Sequence, residues 1–176
     1  MSSHVFVDES KDRDYLLVAG VVMPGDLDSV RRTLRALVMP GQRRLHMAKE
    51  RDQRRRQIVD AVVATGVSAI VYDAGRRSRD ELAAREACLR AVVVDAAARS
   101  SGMLVLEQDD SLLWWDQQRL IEITREVGCR DTLRYEHRRA REELLLAIPD
   151  AIAWCWARGG NWRQRVEPIV TKHHTV

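Results

Sequence analysis

Two adjacent carboxylates close an apolar run near the start of the chain, His4-Val5-Phe6-Val7-Asp8-Glu9-Ser10. A polar turn, Lys11-Asp12-Arg13-Asp14, separates this run from a second one, Tyr15 to Met23. Two apolar runs joined by a short polar segment predict a hairpin. Asp8 then ends a strand expected to be buried on both faces, where an uncompensated carboxylate is expensive. The compensation expected is a divalent cation held jointly with carboxylates from further along the chain. Glu9 alternates to the opposite face of the strand, so its expected partner is an arginine.

A chain of 176 residues is expected to form one domain over residues 1–176 and to bury roughly 70% of its unfolded surface. Cys88, Cys129 and Cys155 are far apart and form no C-x-x-C pair. They are read as reduced packing thiols, without a zinc or redox motif. No basic segment leads into a long apolar leader, and no uncharged apolar stretch reaches the ~20 residues of a spanning helix. The expectation is a cytoplasmic protein with no membrane partner. The formal charge is +3, and lysine occurs only at 11, 49 and 172 among 29 basic residues. Arginine suits bidentate phosphate contacts, so this balance permits a nucleic-acid partner without requiring one.

Beyond the hairpin, Pro24-Gly25-Asp26 breaks the strand, and residues 26–66 read as a helical insertion. Its helices are expected over Leu27 to Val38 and Lys49 to Thr65, with Arg43 to Met47 extended or in a loop between them. Val67 to Asp73 reads as a strand and Ser78 to Arg99 as a long helix with Leu82, Leu89, Val93 and Ala96 inward. Glu86 falls on that stripe, while Asp95 points away. Met103 to Glu107 is a strand closing on a carboxylate, with Asp109 and Asp110 just beyond. A helix from Leu112 to Val127, a short strand over Thr132 to Glu136 and a helix containing Leu144 to Trp156 complete the pattern. Residues 166–176, with Pro168 inside, are expected to form an irregular or extended tail.

Apart from the insertion, this is the element order of a ribonuclease-H-like domain, an α/β fold with a mixed sheet flanked by helices. In that fold the first and fourth strands are neighbours and the last helix packs near their ends. Asp8, Glu107 and Asp150 would then meet. The segments Val5-Phe6-Val7-Asp8-Glu9-Ser10 and Leu17-Val18-Ala19-Gly20-Val21-Val22-Met23-Pro24 resemble the bacterial family called domain of unknown function 3800. Leu45-His46-Met47-Ala48-Lys49 and Ile148-Pro149-Asp150-Ala151-Ile152-Ala153 resemble its His-containing segment and its late Ala-Asp helix. Lys11 stands where that family usually has Gly, and Pro149 where it has Ala. The resemblance implies a ribonuclease-H-like fold and makes nuclease chemistry plausible; it also singles out His46.

Clustered carboxylates either retain protons or bind a cation, and hard oxygen donors select Mg²⁺ or Mn²⁺. Such ions support phosphodiester hydrolysis without a covalent nucleophile. Asp8, Glu107 and Asp150 are the expected ligands, with Glu86 as a fourth candidate and Asp109 as the alternative to Glu107. Glu107 also reads as a solvated strand end, and Asp150 as an acid favoured in a first helical turn. His46 and Lys49 are expected to move protons and neutralise phosphate. Arg51 to Arg56 reads as a solvated helix face, because consecutive helical side chains diverge by ~100°. Arg76-Arg77 and Arg138-Arg139 follow strands and are candidates for guiding phosphate. The tryptophans are expected mainly in the core. Two functions are compatible with this reading: a metal-dependent nuclease, or a catalytically silent module binding nucleic acid or a protein.

Overall fold

The computed structural model describes residues 2–176. The expected hairpin forms from β1 (His4–Ser10) and β2 (Asp14–Val22), antiparallel, with Asp8 opposite Val18. Strand β3 (Ser68–Arg76) pairs antiparallel with β2, and β4 (Met103–Glu107) lies parallel to β1 on its other side. Strand β5 (Arg134–Arg138) extends the sheet beyond β4, two residues later in the chain than the pattern indicated. The resulting mixed sheet has the order β5-β4-β1-β2-β3-β6.

The last strand, β6 (Val170–Thr175), replaces an irregular tail over residues 166–176 with the extended alternative, a regular strand preceded by helical turns. Its chain leaves a short helix, turns through Glu167-Pro168-Ile169 and pairs parallel to β3. Thr171, Lys172 and His173 are exposed, so this edge strand lacks the apolar alternation that announces a half-buried one.

Helices cover both faces. On one lie α1 (Leu27–Leu37), α2 (Asp52–Ala64), α5 (Ala147–Arg158) and α6 (Gly160–Val166); they pack with Phe6, Val18 and Val105. On the other lie α3 (Glu81–Ala98) and α4 (Leu113–Val127), against Val5, Val7, Leu17, Leu104 and Leu106. Period-two alternation sends successive residues of each strand into these separate cores. With both faces covered, the inner strands read as continuous apolar runs. No helix among the described residues is long and apolar enough to cross a membrane.

Two details place α5. At Gly20 of β2 an added Cβ would lie 2.9 Å from Ile148 Cγ2, a separation that ordinary packing does not permit. Glycine therefore lets the start of α5 approach the sheet closely. Pro149 sits in the first turn of α5, where a missing N–H is tolerated.

Helix α3 departs from the expected stripe. Asp80 caps it by accepting the Ala83 N–H, so the helix begins at Glu81 rather than Ser78. Leu82 is 44% exposed, and the buried line is Arg85, Cys88, Leu89, Val92, Val93 and Ala96. Asp95, expected to point away, accepts the Tyr72 hydroxyl at 2.8 Å and lies near Lys172.

Candidate active site

Parallel pairing aligns Val7 with Leu106, so the next residues, Asp8 and Glu107, end neighbouring strands side by side. By strand parity they follow Phe6 and Val105 toward the α5 face. Asp150 lies in the first turn of α5 and accepts the Met47 N–H at 2.9 Å. Asp8 is 9% exposed, and its Oδ1 accepts the Glu9 N–H at 2.7 Å. Glu107 Oε1 accepts Arg44 Nη1 at 3.0 Å.

The acids influence one another. Burial pushes the Asp8 carboxyl well above the usual range, reinforced by its hydrogen bond to Glu107 and by the charges of Glu107 and Asp150. Burial also raises Asp150, with a further push from Glu107. The Met47 N–H, and then neighbouring His46 and Arg44, oppose that shift. The cluster thus favours protons on groups that are ordinarily ionised at neutral pH.

Carboxylate oxygens gathered beside one guanidinium are the kind of donor a hard divalent cation takes. The oxygens are not closed into a cage: among the described residues no group of three His, Cys, Asp or Glu side chains forms a ready metal site. Asp8, Glu107 and Asp150 lie near enough for their charges to act on one another without forming a closed cage. Asp109, the alternative to Glu107, accepts hydrogen bonds from the Ser111 N–H and hydroxyl in its own turn.

The insertion supplies the basic side of this edge. His46 and Met47 adjoin Asp150, and residues 47–49 form a 3₁₀ turn. Lys49 lines a groove of about 350 Å³ together with Arg43, Arg44, His46 and Glu50, and it makes no ion pair with Asp8, Glu107 or Asp150. Arg55 departs from the expected solvated face. Its Nε donates to Met47 O at 2.8 Å, and its guanidinium lies 4.4 Å from the centroid of the Trp154 ring. It clamps the His46–Lys49 segment to α5. Arg138 and Arg139 pair with Glu136 and Asp110, whereas Arg77 binds Glu81 and the Lys11 carbonyl. Trp156 is buried, while Trp114 is 72% exposed.

Glu86 does not join the acids. It is carried by α3 on the opposite face of the sheet, with its side chain 37% exposed and 3.8 Å from Arg90. The preceding residue, Arg85, holds the buried position instead. Its guanidinium grips Asp116 with two hydrogen bonds of 2.7 Å and donates to Glu9 at 2.6 Å. Tyr15 donates to the same Glu9, and His137 Nε2 lies 3.1 Å from Asp116. Glu9 thus has the expected arginine, but the sequence pattern did not announce the buried Arg85–Asp116–His137 network that holds it. An open cleft of about 460 Å³ is bordered by Asp8, Glu9, Arg85, Glu107 and Asp109, joining the two sides of the edge.

No family model matches the chain, and no curated protein matches it. Solved structures do. The chain is similar to one in the PCNA:RNase HII complex from Archaeoglobus fulgidus, with TM-score 0.51 and 16% identity over 96% of this chain and 73% of that one. It is also similar to Bst-RNase HIII in complex with Mn²⁺, with TM-score 0.52 and 13% identity. That match covers 87% of this chain and about half, 51%, of the other. At these identities the likeness defines the fold: a ribonuclease-H-like α/β domain architecture.

Proposed function

We propose that this protein is a metal-dependent nuclease acting on nucleic-acid phosphodiester bonds, with Asp8, Glu107 and Asp150 holding Mg²⁺ or Mn²⁺. The observation that carries this reading is geometric. Strands β1 and β4 end side by side on Asp8 and Glu107, and Asp150 in the first turn of α5 is close enough for its charge, with that of Glu107, to raise Asp8. The fold likeness includes a ribonuclease solved with Mn²⁺, and the resemblance to domain of unknown function 3800 belongs to the same proposal. When bound, the cation would neutralise the carboxylates and polarise the phosphodiester. The chain's own contribution would be to hold Asp8, Glu107 and Asp150 together at one sheet edge beside an open cleft. His46, which adjoins Asp150, is proposed as a polar contributor to the same site. Arg43, Arg44 and Lys49, opposite Glu50, line a groove that would offer cations to backbone phosphates.

A second reading, a catalytically silent module that binds nucleic acid or a protein, draws on the Arg44–Glu107 ion pair, which ties up one acid. The two are separated by incubating the protein with labelled single-stranded and duplex DNA, RNA and hybrid substrates in Mn²⁺, in Mg²⁺ and in EDTA. The nuclease reading predicts cleavage of at least one substrate that EDTA abolishes. Binding without cleavage under every condition supports the silent module.

A further inference from the structure

The acids have a cationic neighbour that belongs to the chain itself. Arg44 Nη1 is 3.0 Å from Glu107 Oε1, and its charge also reaches Asp150. Its Nε is buried and has no hydrogen-bond partner, so the guanidinium does not use its full donor set here. The residue sits on the non-helical stretch between α1 and the 47–49 turn. That stretch includes Gly41 at φ +83°, a conformation that favours glycine.

Arg44 also lines two grooves. One is the groove shared with Arg43, His46 and Lys49; the other, of about 190 Å³, is bordered by Glu107, Arg139 and Arg141. The Arg44 guanidinium is thus common to both grooves, and Glu107 borders the second of them. A carboxylate and a phosphate present the same paired-oxygen geometry to its planar fork. Its side chain is 28% exposed, so the ion pair is screened in part and open to exchange.

We infer that Arg44 is a resident counter-ion of the acid cluster, which a divalent cation must displace from Glu107 and which then turns to a phosphate in the grooves. This inference rests on the proposed metal site. It makes cation loading and phosphate binding mutually supportive: the ion frees Arg44, and a phosphate keeps Arg44 from returning. Arg44 is a gate on the acid cluster, not one of its donors.

The test is calorimetric titration of MnCl₂ alone, without nucleic acid, into wild type, Arg44→Gln and Arg44→Lys. Removing the competing charge is expected to tighten Mn²⁺ binding about 10-fold in Arg44→Gln, while Arg44→Lys stays within about 3-fold of wild type. Equal or weaker binding by Arg44→Gln overturns the gate and leaves the metal site standing. Absence of Mn²⁺ binding by all three proteins overturns the metal site itself, and the gate with it. A measurement on wild type alone keeps the inference testable if the variant does not fold. The Arg44 Nε–H resonance should shift on adding diamagnetic Mg²⁺, and an unmoved resonance with Mg²⁺ bound contradicts the exchange.

Discussion

Asp8→Asn is expected to lower metal-dependent cleavage by at least ~10²-fold, because it replaces an anionic oxygen donor with a neutral amide. The same substitution should make the metal-free protein more stable, by roughly 1 kcal/mol, or about 3 °C in Tm for a chain of this size. The two effects have one origin. The Asp8 carboxyl is pushed up by burial first and then by Glu107 and Asp150. For a carboxyl raised in the folded state, its favourable contribution is complete below the unfolded pKa and is lost as pH rises through the folded value. Asp150 is raised as well. Metal-free wild type should therefore lose stability as pH climbs out of the ordinary carboxylate range, and Asp8→Asn should flatten that decline. Thermal melts across pH in EDTA check the stability, and initial cleavage rates in Mn²⁺ check the activity. A destabilised Asp8→Asn, or one that cleaves at the wild-type rate, contradicts the assignment.

Asp116→Ala is expected to cost more stability than any other single change at this edge, about 3–5 kcal/mol. Asp116 is fully buried and Arg85 is 4% exposed. Removing the carboxylate leaves a buried guanidinium facing apolar α3 and α4 neighbours, with Glu9 as its remaining anionic partner. Replacing both partners, Arg85→Met with Asp116→Leu, should recover most of the loss, since a buried ion pair is worth little relative to packed apolar side chains. Burial pushes the Asp116 carboxyl up, but its hydrogen bonds and charge interactions with Arg85 and His137 prevail and leave it below the usual range. A carboxyl depressed in the folded state contributes stability above its unfolded pKa, lost as pH falls through the folded value. Urea unfolding at pH 7 and in the acid range, for both variants, measures the cost and its pH dependence. A loss under 1 kcal/mol for Asp116→Ala would show that the network does not carry the stability assigned to it.

Much of the frame was legible because strands buried on both faces must be written as apolar runs. Val5 to Val7, Leu16 to Val22 and Met103 to Leu106 are such runs, and their order fixes which strand ends become neighbours. The side-by-side placement of Asp8 and Glu107 follows from that order. Asp150 was legible because a carboxylate interrupts an otherwise apolar helix. Phase was the weak point in α3: anchoring the stripe on Leu82 selected Glu86, whereas the buried line runs through Arg85. A charged residue buried by a partner 31 positions away at Asp116 carries no local periodic signal. Arg44 was hidden for a related reason, since its partner Glu107 lies 63 residues further on. Strand β6 is an edge strand of largely polar residues, so its pairing with β3 is recorded in the sheet rather than in its own pattern.

The central claim is that Asp8, Glu107 and Asp150 serve one cation. Anomalous diffraction from a crystal grown with Mn²⁺ tests it most directly. The account predicts a manganese peak at the ends of β1 and β4, within ~2.5 Å of oxygens from at least two of these three residues, and its loss in Asp8→Asn. Bound manganese located away from all three carboxylates, or retained at full occupancy in Asp8→Asn, would contradict it.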